Sequence, residues 1–578
     1  MLLRFLNKDE NLFIRNLARK ASIFSIFGLC SYFIIRSAMF VYKYYIAPIY
    51  WDQWEFIKDI KGSNIFSINY LFLAHNEHII ATTKIFFILD YLFFKLTNGP
   101  LVSLIFFLAF VIASSIPLVV FTGRVKGILY FALVFVLFAS SVSLAQYENL
   151  LWGFQPQFYL VSLTAVWGVF AALKLVESRI SSRQLFWFVA LCVFTFLCIF
   201  SMGNGIALPI SIVLFLIFVR WRHWPMLAGY VAISVLLVCI DLYLTRHTLP
   251  IGGLSQRTPL NVLFFFFTMI GGALTRSLDA AYKVGIGIFL LYGFTFIQLI
   301  AVPWFKHRSI DRGVAALLAL ASFFFAAALA TAWTRSPLGD GAALASRYST
   351  PMLLLIMTWF CIWLREILVR KGDKNFASIA ILIVMVAIVG ASTLSEKNAA
   401  NFSEAQTRAA YFALSQVDSD EQLLKLYPDA KAVSAELGWL RQNNLNIFAR
   451  NSGIHTPTTT ELLSVQNLGD DRICQNYAIE SIMQTSSGQL QLVGWIADRQ
   501  KNTPVWVLAF DEQGNLLGFT KPLEDRPDIT AAVGAEAGFK GMILPVNMNS
   551  SQRRNVELRV ISTERTNSCK IVNLRTTG

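Results

Sequence analysis

Residues 101–148 read LVSLIFFLAFVIASSIPLVVFTGRVKGILYFALVFVLFASSVSLAQYE. Two apolar runs of about 20 residues flank a short turn that carries Arg124 and Lys126. At about 1.5 Å of rise per helical residue, each run is long enough to cross a hydrocarbon core roughly 30 Å thick. The second run ends in a polar loop, Gln146-Tyr-Glu-Asn-Leu-Leu-Trp-Gly-Phe-Gln-Pro-Gln157. A helical hairpin with a basic turn at one end and an acidic, amide-rich loop at the other is the unit from which the fold is read.

The same pattern recurs outward from this hairpin. Apolar stretches of about 14 to 22 residues occur near 22–42, 100–121, 128–146, 158–175, 184–201, 205–219, 225–244, 284–303, 314–333, 351–364 and 376–394. They predict an α-helical polytopic membrane protein with about eleven transmembrane helices. Composition agrees: the 578 residues are 56% hydrophobic, 14% aromatic and 15% charged, with a mean hydropathy of +0.56. A soluble enzyme is excluded.

Charge gives an orientation. The net charge is +14, but the excess lies before about residue 395, in the turns between apolar runs rather than along one basic face. This argues against a nucleic-acid partner and for cytoplasmic loops under the positive-inside rule. Lys174/Arg179/Arg183, Arg220/Arg222, Lys306/Arg308/Arg312 and Arg365/Arg370/Lys371/Lys374 then share the side of Arg124/Lys126. A cytoplasmic N-terminus and a periplasmic C-terminal domain follow, in a bacterial inner membrane. The count requires that 79–96 and 260–275 lie along the outer leaflet, as 51–61 does. Lys84, Asp90 and Lys95 mark the first of them as an interfacial amphipathic helix.

Beyond the membrane region, 1–394, residues 395–470 read as a helical linker region. Residues 471–578 read as a periplasmic β-rich domain, so the soluble part is α+β and ends in a small β-sandwich or barrel. Cys474 and Cys569 are the two cysteines there, and an oxidising compartment predicts a disulfide between them.

The candidate chemistry lies in the outer loops. The first holds Trp51-Asp-Gln-Trp-Glu55 and His75-Asn-Glu-His78. Asp52 and Glu55, three apart, share a helix face beside Trp51 and Trp54; they either carry out catalysis or sit on an anchoring helix. His75 and His78 flank Glu77 and lack a third ligand nearby, so a hydrogen-bonding role toward a substrate outranks zinc. Glu148 sits at a span end, where an acid is costly unless it is paired or used. Asn204, Arg335 and Arg347 add polar groups on the same side; Arg347 either snorkels or grips a phosphate with its planar fork.

Residues 1 to about 395 resemble the GT-C membrane glycosyltransferases, relatives of protein O-mannosyltransferases and aminoarabinose transferases. The resemblance rests on a first span, a long outer loop opening with Asp52, a helix introduced by His75-Asn-Glu-His78, a span ending in Thr-Gly-Arg124, and one ending near Glu148. Family members commonly carry an acidic pair and a His-Pro-Pro, where this chain has Asp52-Gln-Trp-Glu55 and His75-Asn-Glu-His78.

The resemblance implies transfer of a sugar from a polyprenyl-phosphate-linked donor to a periplasmic glycan, lipid or protein acceptor. Asp52 would be the base, and Glu55 and Glu148 would support it. Asp52 and Glu148 would be the ligands of any divalent cation, Mg²⁺ or Mn²⁺. Arg347 would stabilise the leaving phosphate, and His75, Glu77, His78, Asn204 and Arg335 would contact substrate. A transporter or flippase, and a polysaccharide polymerase or ligase of lipid-linked glycans, are the alternative readings.

Overall fold

The computed structural model describes residues 8–122, 127–248, 258–367, 374–457, 477–496, 506–533, 540–549, 555–561 and 568–575. The chain divides into two compact units. One comprises Met1–Tyr45, Ser63–Leu89 and Pro100–Ala399; the other comprises Ile46–Gly62, Asp90–Gly99 and Ala400–Gly578.

The helices in chain order begin with α1 (Lys8–Tyr44), α2 (Gln53–Gly62), α3 (Ile68–Leu71), α4 (Ala81–Phe94), α5 (Gly99–Val120), α6 (Gly127–Ser141) and α7 (Tyr147–Leu151). Next come α8 (Pro156–Glu177), α9 (Ser181–Ile199), α10 (Ala207–Phe218), α11 (Trp224–Thr245), α12 (Pro259–Gly272), α13 (Leu278–Phe296) and α14 (Val302–Phe305). The series closes with α15 (Arg312–Arg335), α16 (Ser349–Glu366), α17 (Lys374–Leu414), α18 (Asp420–Leu423), α19 (Ala430–Gln442) and α20 (Pro527–Val533).

Among the described residues, ten helices are long and apolar enough to cross a membrane. They suit a multi-pass membrane protein. Their burial separates a core from a rim: 72% of the apolar stretch is buried in α6, α8, α15 and α16, against 17–28% in α1, α9, α11, α13 and α17. The rim helices turn large apolar side chains outward, among them Phe186, Leu236, Leu290 and Ile383. Such a surface is costly in water and at home in hydrocarbon.

The expected span at 205–219 is the exception to the length rule. Its helix, with the 3₁₀ turn before it, runs only from Gly203 to Phe218, about 25 Å at 1.5–2.0 Å per residue. It nevertheless follows α15 for most of its length: Asn204 Nδ2 donates to Thr331 Oγ1 at 3.2 Å at one end, and Phe218 meets Trp304, 5.8 Å between ring centres, at the other. The helix therefore runs antiparallel to α15 from the polar-loop end of the bundle to the end bearing Lys306, Arg308 and Arg312.

Of the three charges that mark 79–96, Lys95 is exposed as expected and the other two need correction. Lys84 and Asp90 do not face water; they are fully buried, while Phe93, Phe94 and Ile85 are exposed. Lys84 Nζ donates to the carbonyls of Tyr70 at 3.1 Å and Leu73 at 2.7 Å, capping the irregular backbone before α4. Asp90 accepts from the Asn98 N–H at 3.4 Å, and burial raises its carboxyl to about 7. The charges on α4 thus hold protein, and its apolar face is the outward one.

At 260–275 the helix is short, 14 residues, and lies close against α13. A Cβ at Gly285 would come within 1.8 Å of the Phe267 carbonyl, and one at Gly271 within 2.0 Å of the Ala281 carbonyl. Glycine alone permits that backbone approach.

Among the described residues of the other unit, eight strands form two antiparallel sheets: β1 (Tyr477–Gln484), β2 (Gln489–Ile496), β3 (Trp506–Phe510), β4 (Leu516–Thr520), β5 (Glu524–Asp525), β6 (Lys540–Asn549), β7 (Asn555–Ile561) and β8 (Ser568–Arg575). The orders are β1-β2-β6-β5 and β4-β3-β7-β8. Leu490, Leu492, Leu544 and Val546 from one sheet share a core with Val507, Ala509, Leu558 and Val560 from the other, which makes the expected sandwich. Between β5 and α20, Arg526 pairs with Glu480 and Asp528 at 2.8 Å each. Cys474 lies outside the described residues, as does the side chain of Cys569.

The glycine contact makes a paired prediction. Gly285→Ala forces α12 and α13 apart and is expected to lower thermal stability by about 1–3 kcal/mol, the usual cost of overpacking. Gly287→Ala, where a Cβ meets nothing within 4 Å, is expected to be neutral or to gain up to about 1 kcal/mol of helix propensity. Thermal unfolding of both variants in one detergent checks this, and equal stabilities would contradict it.

Candidate functional site

The first unit gathers five of the candidate side chains at one end of the bundle. His75 and His78 close a tight turn, each N–H donating to the other's carbonyl at 2.7 and 3.0 Å, with Asn76 in the left-handed region at φ 50°. The turn projects Glu77 against Arg335 at the end of α15, an ion pair of 2.7 Å with both side chains largely buried. It also sets His78 over Gly203, where a Cβ would fall 2.5 Å from His78 Nδ1. Asn204, the next residue, is tied to Thr331, one turn of α15 before Arg335. The His75 ring lies 5.1 Å from Phe154, which stacks on Phe87 and Trp152. The turn therefore has an aromatic floor.

Burial disfavours the charged form of His78 and lowers its value; Glu77 acts in the opposite direction and Arg335 adds to the lowering. At neutral pH the ring is a neutral imidazole beside a compensated ion pair. Such a group accepts a proton or a hydroxyl hydrogen bond.

A second cluster holds Glu148 and Arg347. Glu148 Oε2 accepts from the Arg347 N–H at 2.9 Å, and its own N–H donates to Ser346 Oγ at 3.0 Å. Asn149 Nδ2 donates to the Arg347 carbonyl at 2.7 Å and to Thr350 Oγ1 at 2.6 Å. This acid is thus occupied in shaping the backbone that carries Arg347, whose guanidinium lies 5.5 Å from the centre of the Tyr348 ring. Arg276, which follows α12, organises the same loops. It donates to the carbonyls of Ala145 and Leu344, the latter at 2.7 Å. Gln146, Tyr159 and Thr350 form a buried hydrogen-bonded chain below.

Asp52 and Glu55 belong to the other unit. Trp51 is held at φ 49°, a conformation that bulky residues rarely take, by its N–H donating to the Leu426 carbonyl at 2.7 Å. Strain of this kind is retained where the chain must point a residue in a set direction. Amides fix the segment: Asn98 Nδ2 donates to the carbonyls of Ile46, Ala47 and Pro48 at 3.2–3.3 Å, and its Oδ1 accepts from Gln53 at 2.7 Å. Asn446 receives the Ile49 N–H at 3.0 Å and donates to the Ala47 carbonyl at 2.8 Å. Glu55 pairs with Lys58 at 3.0 Å and accepts from the Tyr427 hydroxyl. Burial and that carboxylate push the Tyr427 phenol up. Asp52, half-buried, opens the helix these contacts hold.

Among the described residues, no three His, Cys, Asp or Glu side chains converge to hold a metal ion. Asp52 and Glu148 fall in different units, so neither unit alone supplies the expected pair of ligands. No step below uses a metal. No family model, curated protein or solved structure matches the chain.

The Glu77–Arg335 pair gives a prediction with a sign. A lowered His78 stays neutral in the native state while the unfolded ring, near 6.5, takes its proton first. Stability is therefore full above that pH and falls as the solution is acidified. Glu77→Gln removes the charge that raises His78 and strands Arg335. Its cost is expected to be on the order of 2–3 kcal/mol, below that of a fully buried pair, with a steeper loss between pH 7 and 5. Glu77→Gln/Arg335→Gln should be more stable than Glu77→Gln alone. Melting temperatures across that pH range decide, and a double variant no better than the single would refute the pairing.

Proposed function

We propose that the chain is a membrane glycosyltransferase that moves a sugar from a polyprenyl-phosphate donor to an acceptor hydroxyl on the periplasmic face of a bacterial inner membrane. The observation that carries this reading is the cluster of Glu77, His78, Asn204 and Arg335 at the polar-loop end of an apolar bundle. An arginine, a neutral imidazole and an amide, set among aromatic rings at the end of long apolar helices, suit a ligand with a phosphate, a polyol and a lipid tail. A transporter would be expected to show repeated, interrupted helices in matching positions, and the sequence has no such repeat.

The reaction is an inverting displacement. The acceptor oxygen forms the new bond to the anomeric carbon as the bond from that carbon to the phosphate oxygen breaks. The lipid phosphate leaves with the electron pair, and a carboxylate takes the hydroxyl proton. Asp52 is assigned that proton from its place at the opening of the first loop, where the resemblance puts the base. Arg347 is assigned the phosphate, whose charge grows as it leaves. The acceptor is a glycan, lipid or protein hydroxyl, and the surrounding membrane lipids complete the set of partners.

Purified protein given a polyprenyl-phosphate sugar extract is expected to consume it and label an acceptor. Asp52→Asn, which keeps the shape and removes the base, should cost about 10² or more in turnover at matched abundance. Near-normal turnover of Asp52→Asn would remove it as the base; absence of donor consumption by the wild type would remove the reading.

Orientation has its own check. A reporter fused after residue 400 is expected to behave as periplasmic, since α10 supplies an eleventh crossing beside the ten longer helices. A cytoplasmic reporter there would reverse the assignment.

A further inference from the structure

The end of the bundle opposite the candidate site carries a feature that the glycosyltransferase reading does not use. Between α10, α13 and α15 lies a cavity of about 240 Å³. Its walls include Phe218, Phe289, Gly293, Phe296, Leu318 and Ser322. Leu214, Phe289 and Phe296 along it are exposed, so it opens on the lipid-facing side of the bundle. A π-helical turn, Ile297–Ala301, interrupts its α13 wall, and such turns recur at functional positions.

All three walls run to the same basic turns. Arg220 and Arg222 follow α10, Lys306 and Arg308 follow α13, and Arg312 opens α15; all five are exposed. Arg220 sits 4.7 Å over the Trp304 ring and donates to the Trp304 carbonyl at 2.8 Å, and Trp304 in turn meets the cavity residue Phe218. The carboxylate in these turns, Asp311, is gripped by both arms of Arg365 at 2.7 and 2.9 Å. Exposed cations with no uncommitted acid among them, at the mouth of an apolar slot, are complementary to a phosphate headgroup on an acyl chain.

We propose that this cavity is a binding site for an anionic phospholipid, one acyl chain lying between α10, α13 and α15 and the headgroup phosphate meeting Arg220 and its basic neighbours. The site is separate from the proposed donor site and stands without it.

The test uses the full chain equilibrated with phosphatidylcholine vesicles doped with either phosphatidylglycerol or a polyprenyl phosphate, then delipidated and read by native mass spectrometry. Phosphatidylglycerol is expected to be retained about tenfold over phosphatidylcholine. Gly293→Leu puts a side chain into open space, since a Cβ there meets nothing within 4 Å, and should abolish retention with an unchanged melting temperature. Ser322→Leu fills the slot from α15 and serves if the first variant is unstable. Arg220→Gln/Arg308→Gln should bring the preference for phosphatidylglycerol close to one. Equal retention of phosphatidylcholine, preference for the polyprenyl phosphate, or full retention by both slot-filling variants would each overturn the proposal.

Discussion

Where α3, α5 and the loops around Arg347 break among apolar neighbours, their carbonyls need donors that water does not supply, and long cationic side chains meet that need. Lys84 caps Tyr70 and Leu73, Lys174 reaches the Thr122 carbonyl at 2.9 Å, and Arg276 holds Ala145 and Leu344. Arg365 donates to the Val120 carbonyl while gripping Asp311. A peptide group left unpaired in a medium without water costs several kcal/mol. One side chain that satisfies two carbonyls thus permits an interruption that the medium would otherwise forbid.

That constraint separates the charges that build the site from those free to act in it. Glu148 and Arg276 have the positions expected of functional groups, yet their partners are backbone atoms of the loops around Arg347. The Glu77–Arg335 pair differs, because its two members are each other's side-chain partners and neutralise each other. Asn98 and Asn446 play the corresponding part around Asp52: between them they engage Ile46, Ala47, Pro48 and Ile49, the whole approach to Trp51.

The bundle and the sandwich were legible because each rests on a period. Runs of about 20 apolar residues give spans, and alternation in Gln489–Ile496 gives a half-buried strand. The charges on α4 were not legible. Lys84 on an apolar helix reads as a solvated face, since the groups that bury it are carbonyls, and carbonyls leave no mark in a sequence. The Asn446 contact to the Leu96 carbonyl spans 350 residues and is equally silent. His75, Glu77, His78, Asn204 and Arg335 were named by their place in outer loops, but nothing in their spacing pairs Glu77 with Arg335. That pairing depends on where α15 ends relative to a turn more than 250 residues earlier.

The short helix α10 ties the site to the fold. A full-length span after α9 would carry its first turn up to the polar end and fill the place that the His75–His78 turn occupies. Instead Gly203-Asn-Gly205 makes a 3₁₀ turn packed so closely on the end of α9 that a Cβ on Gly205 would sit 2.0 Å from the Cys198 carbonyl, and α10 begins only at Ala207. His78 packs over Gly203, and Asn204, within the 3₁₀ turn, reaches Thr331. A residue larger than glycine at 203 would push His78 out and turn Glu77 away from Arg335. The length of one helix, set by two glycines, therefore places the imidazole, the amide and the ion pair together.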